Sequence, residues 1–386
     1  MLKRGLLFIL ILLMTSCKSG DFDSISGKQF EIQRTKFSRL NDWDDDDFVL
    51  FDGAVKAVCE SILKNPSKKL KSDKMEYSLK EYKHHCSEII KMDDVDDIKE
   101  YVEDNFVPYA VYTWGNNTGK FTSYYEAEIR ASYEKSGDYI YPIYGRPDDL
   151  VEVNLKDFDY SLPNQRLLGR VKNGKLVKYY TRREIENSDF SAPVILWGDN
   201  LVDIYLMQIQ GAAVASLPNG EQIRVGYADN NGHKFRGIGS ILLEKGLIKP
   251  QDASMPKIRK WLEKNGKKAI SNMQLNDRFI FHKIVEAEGP LGAMGLPLTA
   301  GRSLAVDKSY IPLGTMLWLE TNSPNGKEIN KTVIAMDVGS AIKGAIRGDY
   351  FWGHGEDAFL YAGKMNSTGK YYMLLPKDSE IVVYDR

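Results

Sequence analysis

The sequence predicts a mainly β protein with helices at its start, and three observations carry that prediction. From Phe106 onward, short alternating apolar runs are separated by Gly- and Asn-rich turns, the pattern of strands and hairpins. Ahead of them, Leu50, Ala54, Val58 and Ile62 recur at helical spacing. The 386 residues are enough for two domains with cores of their own. A formal net charge of −1 supplies no basic field, so nucleic acid is not an expected partner. The 22 Tyr and 6 Trp suit contact with sugar faces. The five His are scattered, and no Cys/His cluster has ligand spacing, so neither a metal nor an organic cofactor is expected.

Taken in order, the chain opens with an address. Lys3 and Arg4 precede an apolar run, Leu6 to Leu13, too short to span a bilayer. Met14-Thr-Ser-Cys17 resembles a bacterial lipobox, which makes Cys17 the expected lipidation site; an ordinary signal peptide with an incidental Cys is the alternative. Multiple acyl chains would anchor the protein stably. Lys18 stands where Asp would favour the inner membrane in many Gram-negative bacteria, so the expected address is the periplasmic face of the outer membrane. Residues 1–17 then form the signal peptide and 18–40 a polar tether. The acidic run Asp44 to Asp47 is expected to cap a helix over Phe48 to Leu63. Lys64 to Lys74 reads as a basic linker, followed by helices over Tyr77 to Lys91 and Val95 to Asn105. Cys59 and Cys86 fall on these helices; a bridge and two buried thiols both remain open.

Strands follow. Tyr109 to Thr113 and Lys120 to Tyr125 flank a Gly115–Gly119 turn. Asn173-Gly174 closes a hairpin, and Asn219-Gly220 turns into a strand at Gln222 to Tyr227. Leu201 to Gln210 reads as a further strand, and Pro256 to Asn265 as an amphipathic helix. Asp277 to Phe281, Met316 to Glu320, Lys331 to Met336, Tyr371 to Leu375 and Ile381 to Tyr384 are strands around a long loop, Gly289 to Ser303.

The chemistry gathers near the end. The apolar run Val333 to Met336 delivers Asp337, and Gly339, Gly344 and Gly348 punctuate the way to Asp349 and the rings Tyr350, Phe351 and Trp352. A carboxyl among rings and glycines fits sugar cleavage, because an apolar setting raises its pKa toward general-acid use. The plain alternative is turn chemistry beside glycine. A third Asp, Asp307, precedes Ile311-Pro-Leu-Gly314.

Together Asp307, Ile311-Pro-Leu-Gly, Asp337-Val-Gly-Ser-Ala-Ile-Lys-Gly, Asp349 and the following Gly353-His-Gly355 resemble the three-aspartate double-psi β-barrel of the membrane-bound lytic transglycosylase A family. Phe121-Thr-Ser-Tyr-Tyr-Glu126 and Tyr141-Pro-Ile-Tyr-Gly-Arg-Pro147 are similar to that family too. The resemblance implies a double-psi β-barrel with an inserted second β domain and N-terminal helices. It divides the chain into 41–125 (helices and first barrel strands), 126–264 (insert) and 265–386 (barrel with the aspartates). It implies non-hydrolytic cleavage of the β-1,4 bond between N-acetylmuramic acid and N-acetylglucosamine, leaving a 1,6-anhydro end. Asp349 would be acid and then base, Asp337 its support, and Asp307 a structural brace. Gln210, Gly211, Tyr227, Lys343 and Trp352 would meet the glycan, with a structural role for Gln210, a solvated Lys343 and a core Trp352 as the alternatives. Phe351 is expected in the core and His354 in a loop. Ala212 and the His233-Lys-Phe-Arg236 stretch depart from the family pattern, which weakens any sugar contact there. Expected partners are peptidoglycan glycan strands, the outer membrane through the lipid anchor, and other cell-wall enzymes. Two other readings stand beside this one. Asp337-Val-Gly-Ser resembles half of an aspartic-protease site, without a second copy, and a non-catalytic peptidoglycan-binding barrel would keep the fold without the reaction.

Overall fold

One strand, Gly119–Ser132, belongs to both halves of the protein. The computed structural model describes residues 24–27, 29–65 and 70–384; the expected lipidation site Cys17 and the signal segment lie outside them. The first half of the strand runs parallel to Arg347–His354, with Asp349 opposite Thr122. Its start also pairs antiparallel with Asn366–Pro376. From Asn366–Pro376 the ladder continues through Met316–Asn322, Glu328–Asp337, Ser303–Val306 and Arg347–His354 back to Gly119–Ser132, a closed six-stranded barrel. Closure removes the sheet edges. Two of the six pairings are parallel, Ser303–Val306 with Glu328–Asp337 and Arg347–His354 with Gly119–Ser132, and the other four are antiparallel. Met316, Leu317, Trp318 and Leu319 are all buried, as the apolar run requires.

The second half of Gly119–Ser132 leaves the barrel and pairs with Ala213–Ser216, which leads to Gln222–Asn230 and Ile280–Val285. The expected boundary at residue 126 therefore falls inside an unbroken strand. The Asn173-Gly174 hairpin forms as expected, pairing Lys172 with Lys175 in a small sheet with Val151–Asn154.

Leu201–Gln210, expected as a strand, is a helix. Asn200 caps it by accepting from the Val202 and Asp203 amides, and Gly211 ends it in a left-handed conformation (φ 96°) that glycine adopts without strain. The run is buried on most sides between sheet and helix, so its sequence lacks the single apolar stripe of a surface helix. With Arg182–Asn187, Ile238–Glu244 and Met255–Met273, the expected β insert is a mixed α/β body. The last of these outruns the expected Pro256 to Asn265 helix and breaks at Gly266.

The helices at the start pack on the barrel. Phe51–Lys64 buries Phe51, Ala54, Val55, Val58, Cys59 and Ile62, and Cys59 is disulfide-bonded to Cys86 on Leu79–Ile89. Two expectations fail here. Part of the expected tether joins the sheet that flanks the barrel: Glu31–Arg34 pairs with Phe106–Tyr112, which pairs with Asn366–Pro376, and Phe30 and Ile32 are buried. The acidic run does not cap the following helix, whose N-cap is Leu50 without a side-chain bond. Instead Asp46 is buried and accepts from Arg302 Nη1 (2.9 Å) and from the Thr332 amide and hydroxyl (2.7 Å each).

Candidate active site

Strand register assembles the site. Ala305 lies opposite Asp349 on one side and opposite Asp337 on the other, and Asp349 lies opposite Thr122. A row Asp337, Ala305, Asp349, Thr122 thus crosses four adjacent strands. Strands are spaced about 4.8 Å apart, so the two aspartate backbones stand roughly 10 Å apart. The small Ala305 leaves the space between them open.

The row faces a cleft of two adjoining lobes, about 310 and 420 Å³, which share Tyr124, Gln210, Gly211, Tyr227, Arg278, Asp337 and Val338 to Ser340. Thr122, Ala305, Arg347 and Asp349 line the first. Asp349 accepts from the Thr122 hydroxyl. That hydroxyl accepts in turn from Arg347 Nη2 (2.7 Å), so its single proton is aimed at Asp349. Burial raises the Asp349 pKa to about 6, against the opposing pull of the Thr122 bond and the Arg347 charge. Asp337 accepts from the Tyr124 hydroxyl at Oδ2 and the Ala293 amide at Oδ1, both at 3.0 Å. Its pKa is also raised to about 6, chiefly by burial, with the Val338, Tyr124 and Ala293 donors lowering it and the Asp349 charge raising it. Each carboxyl thus holds a proton well above the usual carboxylate range, up to about pH 6. Asp349 has the single hydroxyl donor and is the better placed to keep it.

Among the other expected site residues, Gln210 and Gly211 line both lobes, and Gln210 Oε1 accepts weakly from the Tyr125 amide (3.4 Å). Tyr227 lines both lobes and is 41% exposed, its hydroxyl accepting from Asn230 Nδ2 (2.7 Å). Lys343 lines the second lobe, and its ion-pair partner is Asp307 at 3.8 Å, not Asp349. Asp307 is buried and accepts from the Ser309 amide (3.1 Å) and the Gly344 amide (2.8 Å), joining the two turns. Trp352 is absent from the lining of both lobes. It stacks on Tyr361 (28° between planes) and packs edge-on to Tyr350. Strand alternation explains this: Asp349 and Phe351 face the cleft side, Tyr350 and Trp352 the opposite one. The same alternation places Arg347 on the face of Asp349, a signal that the sequence itself carries. Thr122 and Tyr124, more than two hundred residues upstream, carried no such signal. Ser123 Oγ and Gln208 Oε1 are buried without a partner among the described residues, and both line the first lobe, so they are open to a polar ligand.

The closed six-stranded barrel, the body grown on its shared strand and the paired aspartates at the cleft define a double-psi barrel protein with an inserted domain. Residues 120–283 match the family model described as the MltA specific insert domain, and residues 302–375 the one described as the 3D domain. The chain is similar to the membrane-bound lytic murein transglycosylase A family. It is 31% identical to the Escherichia coli K12 protein of that name over 264 residues, 66% of this chain and 65% of that protein, so the match spans a little under two thirds of that relative. It superposes on MltA from Neisseria gonorrhoeae with a TM-score of 0.80 at 28% identity, covering 94% of this chain and 97% of that one. E. coli MltA with bound chitohexaose matches with a TM-score of 0.60 at 26% identity, covering 77% and 83%.

Proposed function

We propose that this protein is a peptidoglycan lytic transglycosylase. The observation that carries the reading is Asp349: a half-buried carboxyl with a pKa near 6, in a cleft, beside a second carboxyl held by three donors. One such acid suffices when the substrate supplies its own nucleophile. Asp349 would protonate the glycosidic oxygen between N-acetylmuramic acid and N-acetylglucosamine. As carboxylate it would then take the proton of the C6 hydroxyl, which attacks C1 of the same sugar and closes the 1,6-anhydro ring. Holding that hydroxyl within the substrate replaces an external water with a large effective molarity. Asp337, ionised on its three donors, would favour the protonated form of Asp349 until the transfer. Asp307 would brace the turns behind the site, and Gln210, Gly211 and Tyr227 would meet the sugars. The bound chitohexaose of the E. coli relative supports a glycan in the cleft.

The names of the relatives support membrane association. The Met14–Cys17 lipobox supports a lipid anchor at Cys17, on the periplasmic face of the outer membrane, where other cell-wall enzymes would be neighbours. The division into an N-terminal helical part, an insert and a barrel follows the family pattern.

A soluble form lacking residues 1–17, incubated with purified peptidoglycan and read by mass spectrometry, tests the reaction. The expected products are anhydromuropeptides from the wild type, with Asp349→Asn at least about 10³-fold slower. Products carrying an added water would overturn the reading in favour of a hydrolase. No products with binding retained would leave a glycan-binding barrel.

A further inference from the structure

The second lobe of the cleft is lined by four cations, Arg166, Arg278, Lys308 and Lys343. Their compensation is uneven. Arg166 is bonded to Glu152 (2.8 Å) and to Asp229 (3.0 Å). Lys343 keeps 67% of its side chain exposed and reaches Asp307 only at 3.8 Å. Arg278, half-buried, donates Nη1 to the His233 carbonyl (3.2 Å) and has no ion pair among the described residues. Lys308 is exposed and likewise unpaired among them. The carboxylates of the same lobe are occupied: Glu126 accepts from Arg224 (3.2 Å), and Asp337 from Tyr124 and Ala293. Burial pulls the Arg278 pKa down, and the nearby Asp229 charge, already bonded to Arg146 and Arg166, offsets this only in part. A planar fork of donors at the floor, with two ammonium groups on the rim, matches a carboxylate.

We propose that this lobe is an anion subsite for the carboxylate that a muramyl unit carries on its O3 substituent. The proposal rests on the peptidoglycan reading and adds to it a preference for charged over uncharged glycan. Glucosamine units have no such group. A muramyl unit ends its lactyl ether in a free carboxylate on stripped strands, or in a peptide with carboxylates of its own on intact ones. The shared chemistry is the carboxylate.

The test uses the soluble form carrying Asp349→Asn, so that affinity is read without turnover. Three probes are compared: chitohexaose, glycan strands stripped of peptide, and strands bearing peptide. Arg278→Gln and Lys308→Gln are each expected to weaken the muramyl probes roughly tenfold and chitohexaose by no more than about twofold. Added salt is expected to weaken the muramyl probes alone. A loss shared by both muramyl probes assigns the lactyl carboxylate; a loss confined to peptide-bearing strands assigns the stem. Equal losses on chitohexaose, or no loss on any probe, would overturn the subsite. If Arg278→Gln does not fold, Lys308→Gln, at an exposed side chain, still decides. The digest of the preceding section separates the two claims: charge-selective binding without anhydro products would keep the subsite and remove the reaction.

Discussion

Asp349 holds its proton up to about pH 6 only because burial outweighs its two opposing contacts, the Thr122 hydroxyl and the Arg347 charge. The sign of a pH experiment follows. In the proposed reaction the first step needs the protonated carboxyl, so activity is expected to fall as pH rises through about 6. Arg347 lowers that pKa, so Arg347→Gln raises it, and the falling limb of kcat/KM against pH moves upward, by roughly half a unit to one unit. A limb that stays in place, or moves down, would remove Arg347 from the control of Asp349. The same triad shows how far a sequence can be read. Asp337 stands out because it ends an apolar run beside a glycine, and Asp349 because it sits between a glycine and a run of rings. Arg347 lies two residues from Asp349 and was open to the rule that strand neighbours of equal parity share a face. Trp352 fails by that rule, since its ring lies on the opposite face, among Tyr350 and Tyr361. Thr122 reaches Asp349 only through a parallel pairing across 227 residues, which no local pattern announces.

Among the elements, the acidic run before the first helix, expected as a cap, is a lock. Arg302 is buried beneath the barrel turn, and Asp46 is its buried counter-ion, with Asp47 as a second, exposed one. Removing one partner of a buried pair leaves the other charged and unsolvated. Asp46→Ala is therefore expected to cost about 3–5 kcal/mol in urea denaturation, and Asp47→Ala under about 1 kcal/mol, its side chain being 63% exposed. Equal costs would mean that Arg302 is held by its bonds to the Val49 and Thr332 carbonyls instead. Helices with a single apolar stripe, such as Val95–Asn105, were legible to the residue. Leu201–Gln210 was not, because Val202, Ile204 and Leu206 alternate as in a strand while Tyr205 and Met207 between them are buried as well. Its length of ten and the Asn200 cap were the better evidence.

At the scale of the molecule, the cleft lies between two bodies, yet one strand builds both. Thr122 and Tyr124 face the aspartates, and Ala127 to Arg130, a few residues on, pair with Ala213 to Ser216 in the sheet of the other body. Amides along Gly119–Ser132 are expected to exchange with solvent deuterium as slowly in the second half as in the first, with rates tracking global unfolding. Faster exchange in residues 127–132 alone would show the bodies moving apart. This arrangement was hidden in the sequence, where the strand reads as a barrel segment that stops at Tyr125 and a new domain that starts at Glu126.

A continuous strand has no hinge. The walls of the cleft are two ends of one beam, and the opening between them is a slot of set gauge. On the proposed reaction, a glycan in such a slot would leave by sliding along it, giving up its contacts one sugar at a time. The time a product stays bound would then grow with the number of sugars inside, and turnover would measure how much of the strand is gripped after the cut.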